Sequence, residues 1–329
     1  MFIESNIDLF STEGLGAPLL FEIVPPEKGK KENRLEKHTH YLERLFQETT
    51  VNALNIPEIQ DESKKGNKGK RRKPHKERVS PRKYAAALSE RFDTEFVINR
   101  VVVKHSKEEQ ENWLLETNHE FGLKNVILVG GESSDEEYPG LSVPAGNQLA
   151  TRYLNQGRCR FSDRSAQPTD VTIGNICIPT RRKQEFDEPE RMLKKYDAGA
   201  DFFTTQIIAE AESPISLLND LSAILEKEDK SPPFIFWSFS PISEKKDVDF
   251  QRWLGVHIPE EIESRILGSR DSASASIEWG LSVWEKIQDF NDRLPTPFPM
   301  GINISIMGLR NFDHGIRLAR ELNMVGIPD

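Results

Sequence analysis

Cysteine is nearly missing from this chain, with only Cys159 and Cys177 in 329 residues. Two thiols are too few for a disulfide framework or a four-thiolate zinc site, so neither crosslinks nor thiolate metal chemistry organises the fold. No apolar run approaches the roughly 20 residues that a membrane span needs. The N-terminal MFIESNIDLFSTEG lacks both the basic start and the long apolar stretch of a secretory signal. These lacks predict a cytoplasmic chain without a membrane partner. A GxGxxG dinucleotide fingerprint is missing too. The seven histidines fall in no metal-binding spacing, and His38 and His40, two apart, face different ways on a helix, so no metal site is expected.

What is present suits a large enzyme-sized core. Hydrophobic residues make up 36% and charged residues 29%, and the formal charge is −9. The acidic average hides a basic stretch: between Lys64 and Lys83 eleven Lys or Arg side chains face one acid, Glu77. Residues 61–80 are rich in Lys, Gly and Pro and lack hydrophobic periodicity, which predicts a mobile basic loop. No aromatic side chain interleaves those cations, which argues against a nucleic-acid stacking surface. A solvated run is the plain reading, and steering of an anionic ligand the functional one.

Short β-like runs alternate with helical patterns, the mark of repeated βα units around a parallel sheet. Strands are expected at 19–23, 53–56, 96–103, 126–129, 171–178, 202–206, 234–238 and 302–306. Helices are expected at 34–48, 81–91, 107–121, 143–155, 188–198, 215–228, 260–267, 274–294 and 313–322. Ser106 in VKHSKEEQ and the serine of FSPISEKKD are predicted N-caps, and the glycine of KYDAGADFF a helix-to-strand turn. Eight such pairs predict a single (β/α)8 TIM barrel over 1–329, with the basic loop inserted after the second strand and no regulatory domain following the eighth.

In such a barrel the chemistry sits where strands end. Glu22 lies in the apolar run PLLFEIVPP, and a carboxylate turned into the barrel would be desolvated and hold its proton toward neutral pH, as a general acid must. The alternative is a structural carboxylate paired with Arg or Lys. Asn55 and Glu58 follow the second strand and Thr205 ends the sixth. Gly130 and Gly131 permit close backbone approach to a ligand, with Glu132 beyond them as a hydrogen-bond acceptor; the alternative is a tight turn with a capping carboxylate. Gln206 can read a heterocycle edge or simply be a satisfied amide at the rim. Trp237 in PFIFWSFS reads as barrel packing.

The segments FEIVPPEKG, ERMLKK followed by DAGADFFTTQ, and FSPIS followed by DFQRWLGVHIP resemble, in order and spacing, the methylenetetrahydrofolate reductase family. That resemblance implies FAD, with NADH or NADPH as electron donor, and reduction of 5,10-methylenetetrahydrofolate to 5-methyltetrahydrofolate or the reverse. It implies Glu22 as the general acid. Glu132, Gln206 and Phe250 would contact the substrate, and Gly130, Gly131, Glu188, Lys194 and Lys195 the flavin. It also gives the basic loop an anion to steer, the tail of a polyglutamylated folate.

Several positions depart from the family pattern. The Arg-Gly-Asp run after the fourth strand is Gly130-Gly131-Glu132 here, the third-strand His is Asn99, and the fifth-strand Tyr is Ile178. FMN, a deazaflavin or no flavin therefore stay open beside FAD. So does a non-redox folate- or pterin-binding barrel acting as a carrier or accessory subunit, as does an unrelated barrel lyase using Glu22 as base. A folate substrate is the expected partner, and assembly as a homo-oligomer or with an accessory redox subunit is left open.

Overall fold

A computed structural model describes residues 9–11, 16–29, 31–60, 75–131, 137–181, 187–306 and 308–324. The strands are β1 (Leu19–Glu22), β2 (Ala53–Ile56), β3 (Glu95–Val101), β4 (Asn125–Val129), β5 (Thr172–Cys177), β6 (Phe202–Thr205), β7 (Phe234–Phe239) and β8 (Met300–Ser305). They pair in parallel in chain order, and β8 pairs back on β1, closing the (β/α)8 barrel that the alternating pattern predicts. Of the basic loop expected at 61–80, residues 61–74 lie outside the described residues.

Helices α1 (Lys31–Glu48), α2 (Pro81–Ser89), α3 (Lys107–His119), α4 (Val143–Gln148), α5 (Glu188–Asp197), α6 (Glu212–Lys227), α7 (Lys245–Trp253), α8 (Glu260–Leu267), α9 (Ser272–Asn291) and α10 (Phe312–Met324) surround it. Ser106 caps α3 in a reciprocal capping box with Glu109. Gly199, at φ +104°, makes the turn from α5 into β6, where a Cβ would also meet Thr151.

Two helical expectations need correction. α7 has no counterpart among the predicted helices, because its buried face carries Asp247 and Gln251 beside Val248, so apolar periodicity does not mark it. Its N-cap is Glu244, paired with Asp247 in a capping box, and Ser243 instead donates to Asp247 at 2.8 Å. The single helix expected at 143–155 is α4 followed by a π turn, Leu149–Tyr153, and a 3-10 turn, Leu154–Gln156. Within it the Thr151 hydroxyl donates to the Asn147 carbonyl at 3.0 Å, a back-bond that competes with the regular ladder.

Strand register sorts the barrel interior into layers, since alternate residues face inward. Leu20, Ala53, Val97, Ile127, Phe202 and Phe236 form one buried apolar cluster, packed against Leu9 and Phe10 from the N-terminal segment. Phe202 meets Phe236 edge-on at 5.8 Å, and a Cβ at Gly174 would collide with the Phe202 ring. Two residues further along the strands the same inward positions read Glu22, Asn55, Asn99, Val129, Thr204 and Ser238, with Asn303 of β8 in register with Ser238. The outward residues pack under the helices; Trp237 is fully buried there, donating to Met300 Sδ at 3.1 Å.

Candidate binding site at the barrel mouth

Glu22 ends β1 with Asn55 of β2 and Ser305 of β8 as its register neighbours. It is half-buried, and desolvation raises its pKa to about 7, against a smaller lowering by a hydrogen bond from Ser305. Among the described residues no cation compensates that desolvation, so the Glu22 carboxyl is held toward its protonated form.

Around it the polar layer is partly self-satisfied. Asn55 Nδ2 donates to Asn303 Oδ1 at 3.3 Å, Asn303 Nδ2 to Ser238 Oγ at 3.0 Å, and Ser238 Oγ to the Thr205 carbonyl at 2.7 Å. This chain fixes the Asn55 and Asn303 amides in place. It leaves Asn55 Oδ1, Asn99 Oδ1 and Thr204 Oγ1 buried with no partner, and Ser240 Oγ, just past β7, is in the same condition. An unmet buried polar atom costs about 1–3 kcal/mol, so a ligand offering N–H and O–H groups gains by meeting them. Of these, only Asn55 and Asn99 stood out in the sequence. Thr204, Ser238, Asn303 and Ser305 were signalled by alternation alone, as in the Gly301, Asn303, Ser305 series set among isoleucines.

The other expected site residues divide. Gln206 follows β6 at the rim, but its amide is engaged: Nε2 donates to the Leu254 carbonyl at 3.2 Å and Oε1 accepts from Ile207 N at 2.9 Å. That bond ties the end of β6 to the end of α7, which carries Phe250. Phe250 is 36% exposed and stacks on Trp253 with ring centroids 5.6 Å apart. Glu58 is structural, accepting from Arg100 at 2.9 Å and from Val101 N at 2.8 Å.

Of the residues implied for a flavin, Glu188 and Lys195 are engaged within the protein. Glu188 is fully buried and accepts from Ile178 N and Arg181, both at 3.0 Å. Lys195 lies 3.8 Å from it and donates to the Ile176 carbonyl at 2.6 Å; burial lowers its pKa, opposed by Glu188. These charges tie α5 to the end of β5. Lys194 is exposed on α5. A Cβ at Gly131 would strike the Tyr138 ring, so this glycine makes room for Tyr138, while at Gly130 it would only touch Val143 at 3.5 Å. Glu132 lies outside the described residues. Among the described residues no group of His, Cys, Asp or Glu could hold a metal ion, and no helix is long and apolar enough to cross a membrane.

A closed barrel with a protonatable carboxyl and unpaired polar atoms at its C-terminal mouth is the architecture of a small-molecule-binding (β/α)8 protein. The sequence model of methylenetetrahydrofolate reductase matches residues 19–292. The chain belongs to that family. Among solved structures it resembles an uncharacterized protein from Clostridium thermocellum that binds two copies of 5-methyl-5,6,7,8-tetrahydrofolic acid, with TM-score 0.74, 18% identity, and coverage of 94% of this chain and 96% of that one. It is also similar, at TM-score 0.47 and 13% identity, to the spore cortex-lytic enzyme SleL of Bacillus cereus, over 93% of this chain and 74% of that one. No curated protein matches the chain.

Proposed function

We propose that the barrel mouth binds a reduced folate, with Glu22 as the proton-bearing group that faces the pterin. The observation that carries this reading is the set of buried, unpartnered atoms Asn55 Oδ1, Asn99 Oδ1 and Thr204 Oγ1 around a carboxyl whose pKa is about 7. Acceptor oxygens suit the amino and ring N–H groups of a pterin edge, and a protonated carboxyl can donate to a ring nitrogen. Family membership and the tetrahydrofolate bound by the Clostridium thermocellum protein of like fold support the same ligand class.

A second reading, flavin-dependent reduction of methylenetetrahydrofolate, is favoured by Glu22 itself, since a carboxyl titrating near neutrality suits general acid catalysis. The engagement of Glu188 and Lys195 with each other and with β5 weighs for binding without a flavin. Titration of the purified protein with 5-methyltetrahydrofolate, preceded by its visible spectrum, tests both. A colourless protein that binds the folate is the expected result. Flavin bands with folate-dependent oxidation of NADH or NADPH would establish the second reading, and no folate binding at all would overturn the proposal.

A further inference from the structure

Residues 75–80, which lead into α2, lie across the loop that follows β1. The two segments run antiparallel: Glu27 faces Arg78 in a bridge, Lys28 N donates to the Glu77 carbonyl and Val79 N to the Pro26 carbonyl, both at 2.9 Å. Side chains add three ties. Arg78 NH1 donates to the Pro25 carbonyl at 2.7 Å, Lys28 pairs with Glu77, and Lys76 lies 3.6 Å from Glu27. Together these contacts make a strap laid on the segment that leaves the barrel after Glu22.

The strap is held loosely compared with the strands beneath it. Val79 is its single apolar side chain, and it packs only half-buried against the core. Both ion pairs have exposed members, and such pairs contribute about 0–1 kcal/mol and weaken with salt. At the far end Ser80 opens α2 without a side-chain capping bond. Few buried apolar contacts and exposed polar ties are the marks of a segment that opens locally well before the fold does.

The strap covers a cavity of about 390 Å³ between the loops after β1 and β2 and the end of β3, with residues 77–82 as its outer wall. Asn99 lines this cavity, and the same residue belongs to the inward polar positions of the mouth, its Oδ1 buried and unmet. The cavity therefore leads sideways into the mouth. We infer that residues 75–80 are a lid, which lifts from residues 25–28 to admit a ligand through the side of the barrel mouth and settles back behind it. The inference rests on the mouth being the binding site and adds the route into it.

Hydrogen exchange reads the opening without any ligand. The amides of Lys28 and Val79 should exchange together, about 100-fold faster than that of Ile23, which donates to the Asn55 carbonyl between β1 and β2. Lys28→Gln, which loses the pair with Glu77, should speed them further. Exchange as slow as that of Ile23 overturns the lid. A tether tests its part in binding. Glu27 and Arg78 form a non-hydrogen-bonded pair, whose Cα atoms lie about 4.5 Å apart, within disulfide range. Glu27→Cys combined with Arg78→Cys therefore closes the strap on oxidation and frees it on reduction. In stopped-flow mixing with 5-methyltetrahydrofolate, oxidation should slow association about tenfold or more, and reduction should restore it. Equal rates in the two forms overturn the lid and leave folate binding at the mouth standing. If the wild type binds no folate, the folate reading falls and the exchange of Lys28 and Val79 decides the lid alone.

Discussion

The floor and the mouth of the barrel share strands β1, β2, β3, β6 and β7, whose inward residues lie two apart, yet they are chemically opposite. At the floor Leu20, Val97, Ile127, Phe202 and Phe236 fill space completely and leave no polar group to satisfy. At the mouth Asn55, Asn99 and Thr204 keep unmet atoms, and Glu22 is desolvated with no cation beside it among the described residues. One layer is arranged for stability, and the other retains polar atoms that a bound partner can meet. Changes at the floor should therefore act on folding, and changes at the mouth on ligand and pH response.

The largest expected effect is at the floor. Phe202→Ala empties a site that no neighbour can refill and costs about 3–5 kcal/mol in urea unfolding, with folate affinity changed only in proportion to the folded fraction. A smaller loss with selectively lost binding would break the contrast.

Next comes Glu22, whose sign runs the other way. Its folded pKa of about 7 lies above its ordinary 4.5, so the folded state holds the proton more tightly and stability falls as pH rises through that window. The wild type should lose up to about 3 kcal/mol across it, and Glu22→Gln should not show that loss in pH-dependent unfolding. Glu188 is the buried carboxylate with cations in place, Arg181 and Lys195. Glu188→Gln strands Lys195 and is expected to lower stability by about 2 kcal/mol at neutral pH, the reverse of Glu22→Gln. The smallest effect is Ser305→Ala, which removes the hydrogen bond that lowers the Glu22 pKa and moves the midpoint of the pH response upward, readable by titrating unfolding free energy against pH.

The same contrast explains what the sequence could disclose. Strand β2 was legible to the residue because Pro57 stops an apolar run at Ile56, and Glu22 stood out as a lone charge among Leu, Phe and Ile. Asn303 and Ser305 did not, because strands buried on both faces read as near-continuous apolar runs in which small polar residues carry little contrast. Tertiary pairing was invisible altogether. The sequence put Lys195 near a phosphate by resemblance, whereas burial against Glu188 and the Ile176 carbonyl engages it internally. The amide of Gln206, free to read a heterocycle by composition alone, is held by Leu254, 48 residues away.

The central claim, that a protonated Glu22 faces a folate ring at the mouth, is tested most directly by the pH dependence of 5-methyltetrahydrofolate affinity. Wild type should bind with constant affinity below about pH 7 and weaken about tenfold per unit above it, while Glu22→Gln, neutral and still able to donate, should bind with no such fall. Identical pH profiles for the two proteins, or no binding at any pH, would contradict it.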